Sequence, residues 1–194
     1  MKTFNLKTLN PVARFAIELI IGIEDGYSDN KNDKGGKTNF GISDVRDGKR
    51  DGLIDINGDG LGDIAVKNLI YEQAAQIYYN DYWLKCSCDK VHPALALTLF
   101  DCAVNQGGSF ARKALQRIAK TTIDGIIGSQ TLATVNTIPV LTLLEKFNDA
   151  RRKRYRRIVK RDPTQQVFIN GWLNRLREID EHCVAIATFG FVNE

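Results

Sequence analysis

Val12, Phe15, Ala16, Leu19, Ile20 and Ile23 recur at the spacing of one helix face, and the pattern stops at Glu24. Asn10-Pro11 ahead of it is a helix start, with proline at the first helical position, where a missing N–H costs nothing. Glu24 lies one turn beyond Ile20, so it continues the apolar face and not the solvent face. Burial there disfavours a charged carboxylate, and so does the negative end of the helix dipole. Both effects hold its proton on, as a group that donates one during a reaction requires. The competing reading is an ordinary surface glutamate at a helix end. Beyond it, residues 29–37 are mostly Asp, Asn, Gly and Lys, a loop composition, and a short extended piece follows at 38–42. Asp33 lies on that loop, and Thr38 opens the extended piece.

A chain of 194 residues fits one medium domain or two small lobes sharing a core. With no Gly/Ser-rich linker and no solenoid period, a tethered module or repeat array is excluded, and a single compact body is expected. Basic residues crowd into 145–161, where Lys146, Arg151, Arg152, Lys153, Arg154, Arg156, Arg157, Lys160 and Arg161 face only Glu145 and Asp149. Such a run reads as a solvated helix face with diffuse attraction to an anionic polymer. Tyr155 is its one tyrosine, too little interleaving for a nucleic-acid surface. Cys86, Cys88, Cys102 and Cys183 make neither a disulfide framework nor zinc spacing, so buried reduced thiols are expected. The apolar stretch at 12–23 carries Arg14 and Glu18 and is too short to span a bilayer. It also lacks the flanks of a secretory signal.

Eight residues separate Glu24 from Asp33 and four separate Asp33 from Thr38, a spacing similar to the Glu/Asp/Thr constellation of phage-type lysozymes. The segment IEDGYSDNKNDKGGKTNFGIS resembles the signature of glycoside hydrolase family 108, the N-acetylmuramidases of phage endolysins and related autolysins. The blocks IYYNDYW (77–83), LFDCAVNQG (99–107), LQRIAKTTIDGIIGSQT (115–131) and FINGWLNRL (168–176) resemble the family's later blocks in the same order. One departure is Asp25, where the family usually has the first glycine of Glu-Gly-Gly-Tyr. The resemblance implies a mainly α, lysozyme-like fold with a small β element. It also implies cleavage of the β-1,4 bond between N-acetylmuramic acid and N-acetylglucosamine in peptidoglycan. Glu24 would protonate the glycosidic oxygen, and Asp33 would stabilise the oxocarbenium-like state or activate water, with Asp29 as its substitute. Thr38 would set a hydroxyl beside the sugar or an ordered water, and Tyr27 and Asn39 would shape sugar subsites. Whether the product is inverted or retained depends on carboxyl separation, about 6.5–9.5 Å against 5–5.5 Å. A lytic transglycosylase, or a wall-binding protein without activity, are the alternatives. No cofactor is needed for the chemistry, and a monomer without a membrane anchor is expected. Without a secretory signal, release from the host cytoplasm through a phage holin is the implied route to the wall.

Residues 44–66 depart from the family pattern. Asp55, Asn57, Asp59 and Asp63 present oxygens at positions one, three, five and nine of a loop with Gly60 at the sharp turn, and the Leu61 carbonyl fills position seven. A structural calcium ion is the expectation; an Asp/Gly turn cluster is the competing reading. The full EF-hand pattern is absent, since position twelve is Val66.

Further on, Asp101 and Asn105 are four apart on a helix starting near Pro93, and so share a face. The resemblance puts that helix on the cleft floor, which makes the pair candidates either for substrate hydrogen bonds or for positioning the Glu24 helix. The LQ…DG…G..T pattern of 115–131 is similar to peptidoglycan-binding repeats; otherwise Leu115, Ile123, Ile126 and Leu132 simply build a core. The expected lobes are 1–92, catalytic with the acidic insertion, and 93–194, helical with a predicted peptidoglycan-binding region.

Overall fold

The computed structural model describes residues 4–23, 37–45 and 48–192. The chain divides into two compact units, Met1–Asp81 and Tyr82–Glu194. The boundary comes earlier than the expected 92 because the turns ahead of Pro93 already belong to the second unit's core. Trp83, Cys86 and Cys88 are buried, the Trp83 ring meets Phe100 edge-on at 5.6 Å, and its indole N–H donates to Asp89 Oδ1 at 2.7 Å.

In the first unit, α1 (Pro11–Ile23) starts where Asn10 Oδ1 accepts the Ala13 N–H at 2.8 Å. Its buried stripe is Ala13, Ala16, Ile17, Ile20 and Ile21, rotated slightly from the face read in the sequence. The small alanines let a neighbouring element approach closely on that side. Strands β1 (Thr38–Asn39) and β2 (Ile42–Ser43) form an antiparallel hairpin, with Thr38 opposite Ser43. A second hairpin pairs β3 (Leu53–Ile54) with β4 (Ile64–Ala65) and brackets the acidic loop. Helix α2 (Tyr71–Ile77) follows, its start fixed by Gln73 Oε1 accepting the Ile70 N–H at 3.1 Å. It packs on α1 and runs on as a wider π-helical stretch, Tyr78–Trp83.

The second unit is a helical bundle around α3 (Pro93–Gln106), which is buried on nearly every side. His92 caps it, its Nδ1 accepting the Ala94 N–H at 3.2 Å. At Gly107 the chain takes φ 92°, a conformation glycine adopts without penalty. There α3 turns directly into α4 (Gly108–Ala119). Helices α5 (Ser129–Val135), α6 (Val140–Arg161) and α7 (Ile169–Phe189) complete the bundle. Both α6 and α7 pack on α3 and on each other. Trp172 stacks on Tyr155 at 5.2 Å and on Phe168 at 6.0 Å, a packing role as expected. No helix among the described residues is long and apolar enough to cross a membrane.

Candidate functional site

Glu24, Tyr27, Asp29 and Asp33 lie outside the described residues. The elements on either side of them are described. α1 ends at Ile23, and the β1–β2 hairpin begins at Thr38, which is half-buried. The hairpin turns on Phe40 (φ 50°) and Gly41 (φ 70°), the two positive φ values that a tight primed turn requires. Phenylalanine adopts this conformation at a cost, so other contacts must hold it. The Tyr78 hydroxyl donates to Phe40 O at 2.9 Å, and the Phe40 ring meets Tyr71 edge-on at 6.2 Å. Burial, then the charges of Glu18 and Glu72, raise the Tyr71 phenol's pKa and keep it neutral. Asp44 closes the hairpin by donating its N–H to Lys37 O at 3.1 Å. Its carboxyl is buried, and Oδ1 has no hydrogen-bond partner among the described residues.

Asn39, expected at a sugar subsite, is 8% exposed and turned inward. Its amide donates to Val66 O at 3.1 Å and Leu69 O at 3.2 Å, tying the hairpin to the segment before α2. Asp101 and Asn105 are likewise answered from inside the bundle. Asp101 is fully buried, Oδ2 against Arg151 Nη2 and Oδ1 against Arg175 Nε at 2.8 Å. Asn105 Oδ1 accepts from the Tyr155 hydroxyl at 2.5 Å. The partners of this pair are on α6 and α7 of the second unit, in place of the sugar or the Glu24 helix weighed for it. Arg151 also donates to Thr98 Oγ1 at 3.1 Å and Gln106 Oε1 at 3.3 Å. Burial is the largest influence and works against its charge, but Asp101, Cys102 and Tyr155 together outweigh it and keep its pKa above the ordinary arginine range.

The acidic loop is stitched to itself. Asp55 Oδ1 and Oδ2 accept the Gly58 and Gly60 N–H groups at 2.6 and 2.9 Å. Asn57 Oδ1 accepts from Asp59 N and Asp59 Oδ1 from Leu61 N, each at 2.8 Å, and Asp63 Oδ2 from Ile56 N at 2.8 Å. The Lys49 ammonium donates to Gly60 O. Among the described residues no group of three or more His, Cys, Asp or Glu side chains converges as metal ligands. The side-chain oxygens of Asp55, Asn57, Asp59 and Asp63, read as calcium ligands, thus accept backbone N–H groups within the loop, and Lys49 sits on the Gly60 carbonyl, next to the Leu61 carbonyl of the expected set.

In the second unit, the LQ…DG pattern becomes a hydrogen-bonded pin. Gln116 Nε2 donates to Asp124 Oδ1 at 2.7 Å and Ile126 O at 3.0 Å, while its Oε1 accepts the Gly125 N–H at 2.8 Å. Arg112 Nε closes the turn on Gly125 O at 2.6 Å. Of the expected core residues here, Leu115 is buried, but Ile123 and Ile126 are 46% and 69% exposed. The pin turns their segment outward.

A model of the Glycosyl hydrolase 108 family matches residues 17–107, and a Predicted Peptidoglycan domain matches residues 110–177. The first match takes in α1 from Ile17, both hairpins and α3. Residues 17–107 make a glycosyl hydrolase 108 domain. A solved structure of SagA from Brucella abortus is similar to this chain at 27% identity and TM-score 0.74, covering 91% of this chain and 95% of that one. None of the curated proteins matches. The protein is a glycoside hydrolase, and its two matched regions together make it a peptidoglycan hydrolase.

Proposed function

We propose that this hydrolase is an N-acetylmuramidase, cutting the β-1,4 bond from N-acetylmuramic acid to N-acetylglucosamine. The observation that carries this reading is the series Glu24, Asp33, Thr38 inside the matched family 108 stretch, flanked in one unit by α1 and the β1–β2 hairpin. In the sequence, the helical spacing of Ala13, Ile17 and Ile20 falls next on position 24, which supports an acid kept protonated by apolar neighbours. Glu24 donates its proton to the leaving oxygen. Asp33 faces the positive charge that develops on the sugar ring or activates the attacking water, with Asp29 as the alternative carboxylate. Thr38, braced by a hairpin that Tyr71 and Tyr78 hold, presents its hydroxyl to that water or sugar. Tyr27 contributes to a sugar subsite. In this reading the protein serves a phage as an endolysin that reaches the wall through a holin.

Borohydride reduction of digested, purified sacculi tests the bond assignment. Muramitol at the new ends is the expected product; glucosaminitol ends or 1,6-anhydro ends would each overturn it. Glu24→Gln should fold with an unchanged Tm and lose about 10²–10⁴-fold in reducing-end release, the contribution of a general acid. Asp33→Asn should lose less. If Asp29→Asn is the more severe of the two, the carboxylate roles are exchanged. For the endolysin role, cytoplasmic expression should lyse cells only when a holin is co-expressed.

A further inference from the structure

The basic run of α6 forms one wall of a groove about 680 Å³ in volume, and the start of α4 forms the other. Lys153, Arg154 and Arg157 line it from α6, and Lys113 and Arg117 from α4, with Phe110 between them. Each wall repeats its charge at a spacing of four, which keeps the cations on one face. Among the described residues no acidic side chain lines the groove. Lys153 is held by Asp149 at 2.6 Å; Lys113, Arg117 and Arg157 make no ion pair among the described residues. Arg154 is fixed in place, its Nη2 donating to Gln106 O at 3.1 Å and its guanidinium 4.3 Å above the Phe110 ring. Its Nε is buried without a hydrogen-bond partner among the described residues.

We propose that this groove binds the free carboxylates of peptidoglycan stem peptides, an inference that rests on the peptidoglycan reading above. Glycan strands offer little charge to so many cations, whereas the peptide carboxylates are the anions that peptidoglycan itself carries. Guanidinium forks pair with carboxylates in two parallel hydrogen bonds. Ala114, Ile118 and Ala150 give the groove an apolar lining for peptide side chains. Its volume lies within the range of about 300–1,000 Å³ for sites that enclose small ligands. Both walls fall inside the 110–177 match to a Predicted Peptidoglycan domain. Nucleic acid fits less well, because single-strand recognition needs open aromatic faces and Arg154 already covers Phe110.

The test uses the full chain at 4 °C, pelleted with purified sacculi. Arg117→Glu with Arg157→Glu should bind at least tenfold more weakly at unchanged Tm, and the double glutamine variant should lose less in the same direction. Lys146→Glu with Lys160→Glu makes the same charge change on exposed α6 positions outside the groove, and should stay within twofold of wild type. Sacculi stripped of stem peptides by an amidase should hold the wild type as weakly as intact sacculi hold the groove variant. Equal loss in the Lys146/Lys160 variant, undiminished binding to stripped sacculi, or displacement by duplex DNA or polyphosphate as readily as by free stem peptide would overturn the proposal. Reducing-end release by wild type from the same sacculi is scored separately. Binding without release overturns the muramidase reading and leaves the groove standing; release with undiminished binding by the groove variant does the reverse.

Discussion

Asp101 is where one side chain decides most. Two guanidiniums share its carboxylate in a site without solvent, so Asp101→Asn leaves a buried positive charge with too little to answer it. Breaking a buried ion pair from one side costs about 3–5 kcal/mol. In a domain of this size that corresponds to a fall in Tm of roughly 6–20 °C by calorimetry. Replacing Asp101, Arg151 and Arg175 together with Leu, Met and Met should recover most of the loss, since apolar groups of similar volume often substitute for such clusters without penalty. An undiminished Tm in Asp101→Asn would show that the cluster is hydrated. The sequence placed Asp101 and Asn105 on one helix face but not what faced it. Arg151 and Arg175 lie some fifty and seventy positions away, and to a reader of the chain Arg151 is one more member of a basic run.

At the scale of elements, the acidic loop and the Gln116 turn make opposite demands on solvent conditions. Asp55 is 5% exposed and satisfies two backbone N–H groups, so Asp55→Ala should cost about 1–3 kcal/mol in EDTA as well as in calcium. A calcium-induced rise in wild-type Tm that Asp59→Ala erases would establish the cation site read from the sequence; identical melting in calcium and in EDTA would leave an Asp/Gly turn. The two readings share one pattern because turn-forming Asx residues and calcium ligands follow the same spacing. In the Gln116 turn, the Gln116 amide and then the Ile126 N–H hold the Asp124 carboxyl below its ordinary pKa. Its folded value lies below its unfolded one, so its stabilisation is complete above the ordinary carboxylate range and is lost as pH falls through the folded value. The Tm difference between wild type and Asp124→Asn should therefore be present at pH 7 and shrink towards pH 2. A constant difference would assign the effect to packing. Here the pattern LQ…DG was legible as a motif, while its cause, a glutamine reaching across eight residues to a turn, belongs to three dimensions.

For the whole molecule, apolar periodicity found the α-rich architecture, because α6 and α7 each bury a stripe that repeats every third or fourth residue. It did not find the division at Asp81, since 3₁₀ turns such as Leu84–Cys86 have no period long enough to read. Buried cysteines were expected from composition. All four are free and buried, and desolvation raises each thiol, Cys102 to about 12. Ellman's reagent at pH 8 should titrate none of them in the native protein and all four in guanidinium; a rapid native thiol would place one at the surface. The buried ion cluster has a further consequence for how the bundle assembles. Sliding α6 one turn along α3, a shift of about 5.4 Å, keeps apolar surfaces in contact but carries the Arg151 guanidinium away from its carboxylate into hydrocarbon. Greasy helices tolerate many alignments; this one charge rejects all but one, and so works as a checksum on the register of the second unit.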